Sequence, residues 1–413
     1  MNLYIFNQTR RHGAIYGVGT YIRELTAALK DSEIKVCIVT LASEKPQIQR
    51  EETSDIQYWY FPAPIQWTES NPEQWKLYYR NIVYLLRLHI KDKKELVFHL
   101  NYMECKPLAD ALKDVFDCKI VLVVHYLRSV MSLLGNISQL RSIISQFNES
   151  TDEVEISAKL SFLQEKEILQ CQAIDKIICL SNHTFDLLHH EYQIEKEKLV
   201  IIHNGLPDSI SNTDKQTLRQ KYLIPNAPVF LFAGRLDDVK GLKYALRAFR
   251  IVLNTQPDCH FMIAGNGAFD LYMKECEGIW MNVTWTGLID KPILYELYSI
   301  ADIGMMPSFH EQCSYVAIEM MMHGVSLIAS TTTGLKEMIE DGETGLRIPV
   351  IEFDDRVEID TELLAAKMLY LLEHLEEAKR LGRNARKRYE EQYTTERMGK
   401  QMIALYKSLW ENN

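Results

Sequence analysis

Two glutamates, Glu311 and Glu319, stand eight positions apart in PSFHEQCSYVAIEMMMHG (307–324), among Phe309, Cys313, Tyr315, Val316, Ala317, Ile318 and three consecutive methionines. A carboxylate in such apolar company is costly unless something pairs with it. The preceding DIGMMP reads as a strand and PSFHEQC as the loop after it. Ser314 is a suitable N-cap for a helix from about Tyr315 to His323. Glu311 then lies in the loop and Glu319 on the second helical turn, so they do not share one helical face. They reach different parts of one elongated ligand. The backbone N–H groups of Cys313, Ser314, Tyr315 and Val316 lie between them at a helix N-terminus, where an anion binds well. A carboxylate for sugar hydroxyls, an anion site and a carboxylate for a ribose diol are the outline of a nucleotide sugar.

FAGRLDDVKGLKYALRAF (232–249) supplies cations. Arg235 and Lys240 follow a strand and precede a helix, where their natural partner is a multiply charged anion such as a diphosphate. Asp237 and Asp238 read as a metal-binding pair or, preferably beside these cations, as a solvated salt-bridged turn. GNGAFD, opening on Gly265, is another turn at a strand's carboxyl end. TGLID (286–290), with Leu288, offers backbone groups to a planar base. Near the N-terminus, Gly17 and Gly19 precede a helix beginning about Thr20, and glycines there let backbone approach a phosphate. A nicotinamide-type fingerprint fails, because the loop is too long and Ile22 stands where the third glycine should be. The bland alternative is steric, since glycine is common at loop–helix junctions. His125 closes the apolar strand KIVLVVH, equally readable as a capped core residue and as a ligand contact. Asn204 and Gly205 close the last strand of the first series.

The elements that hold these residues come in two series. LYIF, KVCIVT, LVFHL, KIVLVVH, KIICLS and LVIIHN (3–204) are short apolar runs, each followed by a helical pattern. PVFLFAG, HFMIAG, VTWTG, DIGMMP and VSLIAS (228–330) repeat the style. Such runs predict parallel strands in βαβ units, hence an α/β protein of two doubly wound domains. Ligands in such sheets sit outside the carboxyl ends of the strands, where all the residues above fall. The polar, proline-bearing stretch 206–228 marks the break and carries a short helix at most; from Thr361 the chain is helical. Residues 128–172 exceed a minimal βαβ plan. WKLYYRNIVYLLRLHIKDKK (75–94) is preferably a sheet-covering helix with a basic end, and alternatively a peripheral membrane contact through the N-terminal domain.

The chain's 413 residues suit two domains, and its 47% hydrophobic and 25% charged residues are an ordinary globular mix. A net charge of −10 argues against a nucleic-acid partner. MNLYIFNQTRRHG does not read as a signal peptide, and no stretch has the apolar length of a membrane span. Eight cysteines, scattered without a C-x-x-C pair, read as buried reduced thiols in a cytoplasmic protein rather than a zinc site.

GRLDDVKGL, the IAGNG turn, YELYSIADIGMMPS and PSFHEQCSYVAIEMMMHGVSLIAS with GLKEMIEDGETGL closely resemble the retaining GT-B glycosyltransferases of family 4. Glu311 and Glu319 match that family's E-x7-E motif. GVGTYIREL, LSNHT and IIHNG match its N-terminal half more loosely. The resemblance implies two Rossmann-like domains facing across a cleft: 1–206 on the acceptor side, 207–390 on the donor side, and a helix, 391–413, returning to the first. It implies that Arg235 and Lys240 hold the donor diphosphate and stabilise its departing charge, and that Glu311 binds the transferred sugar. Glu319 would bind ribose, the Gly17–Gly19 loop would close over the phosphates, and His125 would contact the sugar and the acceptor side. Two departures stand out. The run after Glu311 is Gln312-Cys313-Ser314, without the family's glycine, and the family's His-Asp pair is His125-Tyr126 here. HEQCSYVAIE also looks like a bacterial subfamily found near radical enzymes that modify ribosomal peptides.

These readings lead to an expected function: hexose transfer from a UDP-sugar, or less favourably a GDP-sugar, to a hydroxyl of a glycan, glycolipid or peptide, as in polysaccharide biosynthesis. Retention of configuration is expected, with no metal and no other cofactor. A phosphorylase or epimerase on the same fold, or a degenerate nucleotide-binding scaffold, is the alternative.

Overall fold

Runs such as Leu96–Leu100 and Cys118–Val124 are buried nearly throughout, as strands covered on both faces must be. The structure, a computed structural model, describes residues 1–8, 17–53, 56–63, 72–145, 152–210, 213–224 and 226–411. The chain forms two units, one of Met1–Leu127, Ser161–Gly205 and Thr395–Asn413, the other of Arg128–Leu160 and Leu206–Thr394.

Among its described residues the first unit has eight strands: β1 (Asn2–Gln8), β2 (Lys35–Ser43), β3 (Gln49–Glu52), β4 (Ile56–Pro62), β5 (Leu96–Leu100), β6 (Cys118–Val124), β7 (Lys176–Cys179) and β8 (Leu199–Ile201). Their order is β3-β4-β2-β1-β5-β6-β7-β8, and every pairing except β3–β4 is parallel. Strand order reverses at β1, so the switch point lies between β1 and β5. The helix Gly17–Leu29 starts three residues earlier than Thr20, the expected start, and takes Gly17 and Gly19 into its first turn. Helix Thr395–Glu411 packs against it, and Thr395 Oγ1 donates to Glu24 Oε2 at 3.3 Å.

The second unit has β9 (Val229–Ala233), β10 (His260–Ala264), β11 (Val283–Gly287), β12 (Ile303–Met306), β13 (Ser326–Ser330) and β14 (Leu346–Ile348), all parallel, in the order β11-β10-β9-β12-β13-β14. This is a dinucleotide-fold order with its switch point between β9 and β12. An antiparallel pair, β15 (Val350–Glu352) and β16 (Val357–Ile359), stands apart from the sheet. Among its described residues, the break at 206–228 carries one short helix, Lys215–Lys221.

Segment 128–160 departs from the division at 206, since it clusters with the second unit. Local packing explains this. A Cβ on Gly135, at φ +81°, would meet the Phe309 carbonyl oxygen at 2.2 Å. Asn136 Nδ2 donates to the Phe353 carbonyl at 2.7 Å. No helix among the described residues is long and apolar enough to cross a membrane.

Candidate functional site

The second unit's site grows from the ends of β9 and β12, the strands flanking its switch point. After β9 the chain runs through Gly234 and Arg235 into a single 3-10 turn, Asp238–Lys240, and then the helix Leu242–Leu253. Arg235 Nη2 pairs with Asp237 Oδ2 at 3.0 Å, so Asp237 belongs to a salt-bridged turn. After β12 the loop 307–314 leads to the helix Tyr315–Met322. Ser314 caps that helix, accepting from the Ala317 N–H at 3.4 Å. Both loops meet at one ion pair: Lys240 Nζ lies 2.6 Å from Glu311 Oε1, and Ser308 Oγ donates to the same oxygen at 3.2 Å. The Glu311 side chain is only 11% exposed, so the ammonium neutralises a carboxylate largely removed from water.

Three hydroxyls at the end of β13 and just after it strap this loop. Ser330 Oγ donates to the Ser308 carbonyl, Thr332 Oγ1 to that of Phe309, and Thr333 Oγ1 to that of Glu311. The Glu311 N–H returns a bond to Thr333 Oγ1 at 2.9 Å. Thr333 holds φ +27°, a backbone region costly for a β-branched residue. The absence of glycine from the 312–314 run is met here. None of Glu311, Gln312, Cys313 or Ser314 has positive φ. The close approach comes instead from Gly334, where a Cβ would lie 1.6 Å from the Gln312 carbonyl oxygen.

Glu319 sits apart from Glu311, fully buried. Tyr298 Oη donates to its Oε2 at 2.9 Å, and Lys291 Nζ engages Oε1. Burial first, and the Glu319 charge second, push the Tyr298 phenol well above its ordinary range, so it stays a donor. A ribose diol therefore reaches Glu319 only if the Lys291 side chain, 44% exposed, gives way. Lys291 and Tyr298 escaped the sequence reading, as they lie 28 and 21 positions from Glu319. Cys313 and Ser314 are buried within the loop, and Tyr315 is half-buried. Gly265 follows β10 and donates its N–H to the Gly287 carbonyl at 3.0 Å, which joins the ends of β10 and β11. Leu288, next along, is 61% exposed. Among the described residues no group of three or more His, Cys, Asp or Glu could hold a metal ion.

The first unit holds Gly17, Gly19, His125 and Asn204. Gly17 is exposed, Gly19 and His125 are half-buried, and Asn204 is buried. His125 follows β6, and its Nε2 lies 3.0 Å from Oδ1 of Asn101, the residue after β5. Burial pushes the His125 imidazole down to about 3, which keeps it neutral. The residue following it, Tyr126, is also half-buried.

Two parallel doubly wound units, with paired acids and cations at the strand ends of the second, define the GT-B class of α/β proteins. The chain belongs to the GT-B glycosyltransferases: residues 15–210 match the family "Glycosyltransferase Family 4", and 214–388 match "Glycosyl transferases group 1". It is 24% identical over 240 residues to alpha-D-kanosaminyltransferase of Streptomyces kanamyceticus, covering 56% of this chain and 60% of that one. It is 24% identical over 270 residues to D-inositol 3-phosphate glycosyltransferase of Corynebacterium aurimucosum, covering 61% and 59%. The matched stretches thus span about three-fifths of these two relatives' own length. In fold, the chain is similar to sucrose-phosphate synthase of Thermosynechococcus elongatus, with a TM-score of 0.76 at 21% identity and complete coverage of both chains. It is likewise similar to Anabaena HepE in complex with UDP and glucose, with a TM-score of 0.73 at 14% identity, covering 99% of this chain and all of that one.

Proposed function

We propose that the protein is a retaining hexosyltransferase that takes a sugar from a nucleotide diphosphate, UDP before GDP, and delivers it to a hydroxyl of a glycan, glycolipid or peptide. The observation that carries this reading is the Lys240–Glu311 pair at the switch point, beside the N-terminus of helix Tyr315–Met322. It sets a cation for a diphosphate next to a carboxylate for sugar hydroxyls and the N-terminal end of a helix for phosphate oxygens. Arg235 adds a second cation. Glu319 would take the ribose hydroxyls in place of Lys291, and Gly265 and Leu288 would border the base. UDP is preferred because a fold relative, HepE, is known with UDP and glucose.

In this mechanism the bond from the anomeric carbon to the diphosphate oxygen breaks, and its electron pair stays on the diphosphate. The acceptor hydroxyl attacks from the same face, and its proton passes to the leaving phosphate. Lys240 and Arg235 stabilise the charge that grows on that phosphate, so positioning and electrostatics supply the catalysis. His125 would contact the sugar and acceptor side, and the turn at Gly17 and Gly19 the phosphates. With two cations assigned to the diphosphate, full activity in EDTA is expected, and loss of activity there would overturn the metal-independent reading.

The acceptor side remains open to a membrane-bound substrate. Helix Pro72–His89 buries Tyr79, Ile82, Val83 and Leu86, while Leu77, Tyr84 and Leu88 are exposed among Lys76, Arg80 and Arg87. We place the protein in the cytoplasm, where eight buried cysteines outside any disulfide stay reduced, with this face against the inner membrane surface. Sedimentation with anionic but not zwitterionic vesicles tests that contact.

The deciding experiment for the transferase is a panel of nucleotide sugars read by thermal shift and slow donor hydrolysis, with Glu319→Gln as control. Stabilisation by one UDP-sugar, lost in the variant, is the expected result. No response to any nucleotide would refute the reading.

A further inference from the structure

The residue after β5 faces the residue after β6, and the hydrogen bonds around them fix a proton. Asn101 is 2% exposed, and its amide bridges the Phe6 carbonyl and the His125 ring, at 3.0 Å on each side. A carbonyl only accepts, so the Asn101 NH2 group must face Phe6. Its oxygen then faces His125 Nε2, and an oxygen only accepts as well. The ring nitrogen opposite must therefore carry the hydrogen. In a neutral imidazole this leaves Nδ1 bare, and no described residue forms a hydrogen bond with Nδ1.

A second set of contacts holds the ring's plane. Tyr21 packs against His125 nearly edge-on, with centroids 4.8 Å apart and an interplanar angle of 78°. The Tyr21 hydroxyl lies 3.4 Å from His99 Nε2, and His99 Nδ1 lies 2.8 Å from the hydroxyl of Tyr406 on the last helix. Tyr21, His99 and Tyr406 are all buried. The residue next to His125 in sequence is Tyr126, not the acid of the His-Asp pair, so orientation of the ring falls to the neighbouring strand.

We propose that Asn101 is the positioning residue for His125: it fixes the Nε2–H tautomer and so presents Nδ1 as an acceptor for a hydroxyl of the transferred sugar or its acceptor. The inference rests on the sugar-side role proposed for His125, but its central claim is tested without substrate. In protein labelled with 15N-histidine, the His125 signals are those lost in His125→Ala. They are expected to show a protonated Nε2 and an unprotonated Nδ1, and a protonated Nδ1 would overturn the proposal.

Asn101→Leu should let the tautomers mix and slow donor hydrolysis by roughly tenfold to a hundredfold. In a His125→Ala background the same substitution should cost less than about twofold, because its effect passes through the ring. An equal loss in both backgrounds would show a merely structural role and overturn the proposal. If Asn101→Leu does not fold, Asn101→Asp decides, since a carboxylate there should bring a second ring proton onto His125. An unchanged His125 spectrum in that variant would overturn the proposal. Wild-type protein inactive with every donor would refute the transferase reading, while the spectrum would still decide the tautomer.

Discussion

The Lys240–Glu311 pair is where a single substitution tells most. Removing the ammonium leaves Glu311, in a nearly buried position, with the Ser308 hydroxyl as its side chain's one remaining partner among the described residues. Lys240→Ala is expected to cost about 1–3 kcal/mol of stability from the unmatched carboxylate. It should also cost roughly a hundredfold to a thousandfold in donor turnover, the usual scale for one preorganised group at a developing charge. Lys240→Met with Glu311→Gln should recover stability without activity, which urea melts and hydrolysis rates would separate. Two histidines, His99 and His125, make a second prediction. Burial, with the neighbouring His125 adding to it, pushes His99 down to about 3, and burial does the same to His125. Folded, both bind a proton far less readily than in the unfolded chain, where histidine titrates near about 6.5. Their contribution to stability is therefore complete above that pH and is lost as pH falls toward 3. The slope is at most about 1.4 kcal/mol per pH unit for each histidine. Denaturant melts between neutral and mildly acid pH should show it, and His99→Gln should flatten it. The charged residues themselves were legible in the sequence, because carboxylates in an apolar run and cations after a strand are conspicuous. Their partners were not: Lys291, Tyr298 and Asn101 sit on other elements, and only the fold brings them into contact.

Between elements, legibility followed burial. The central strands β1, β5, β6, β9, β10, β12 and β13 were readable because covered parallel strands are continuous apolar runs. Strands β3, β14, β15 and β16 were not, because each short run carries a charged residue that breaks the apolar pattern, and β3, which reads QREE, lies largely in water. The hydroxyl strap at Ser330, Thr332 and Thr333 was likewise illegible, because threonines after a strand look like any polar loop. Yet that strap, with Gly334, shapes the loop carrying Glu311. Gly334→Ala forces a Cβ into the Gln312 carbonyl and must shift one loop against the other. The expected cost is about 1–3 kcal/mol of overpacking. The loss in donor kcat/KM should exceed what that stability change explains, since Glu311 and the N-terminus of helix Tyr315–Met322 move together. A melt and a donor titration on the same sample separate the two effects. A normal kcat/KM in a destabilised variant would show that the strap serves the fold and not the site.

For the molecule as a whole, the division of labour between the two units is what a nucleotide should report. Composition placed one boundary at 206, and the family resemblance placed a return to the first unit after 390, close to the crossing after Thr394, but neither marks the crossings after Leu127 and Leu160. No shift in composition marks the departure of 128–160, because its assignment depends on Gly135 and Asn136 meeting residues more than a hundred positions away. Arg235, Lys240, Gly265, Glu311 and Glu319 all fall in the second unit, and His125 in the first. Hydrogen exchange can therefore distinguish the roles proposed for them. UDP alone should slow exchange in the segments around 234–241, 265–267, 287–291 and 311–319, where diphosphate, base and ribose contacts are assigned. At about a hundredfold excess over its Kd, UDP should add about 2.7 kcal/mol to the stability of the unit it binds. A sugar on that diphosphate should extend protection to the turn after β6, because His125 is assigned to the sugar. Uniform protection of both units by UDP alone would contradict this division. Protection confined to the second unit even with the whole UDP-sugar would remove His125 from the sugar site.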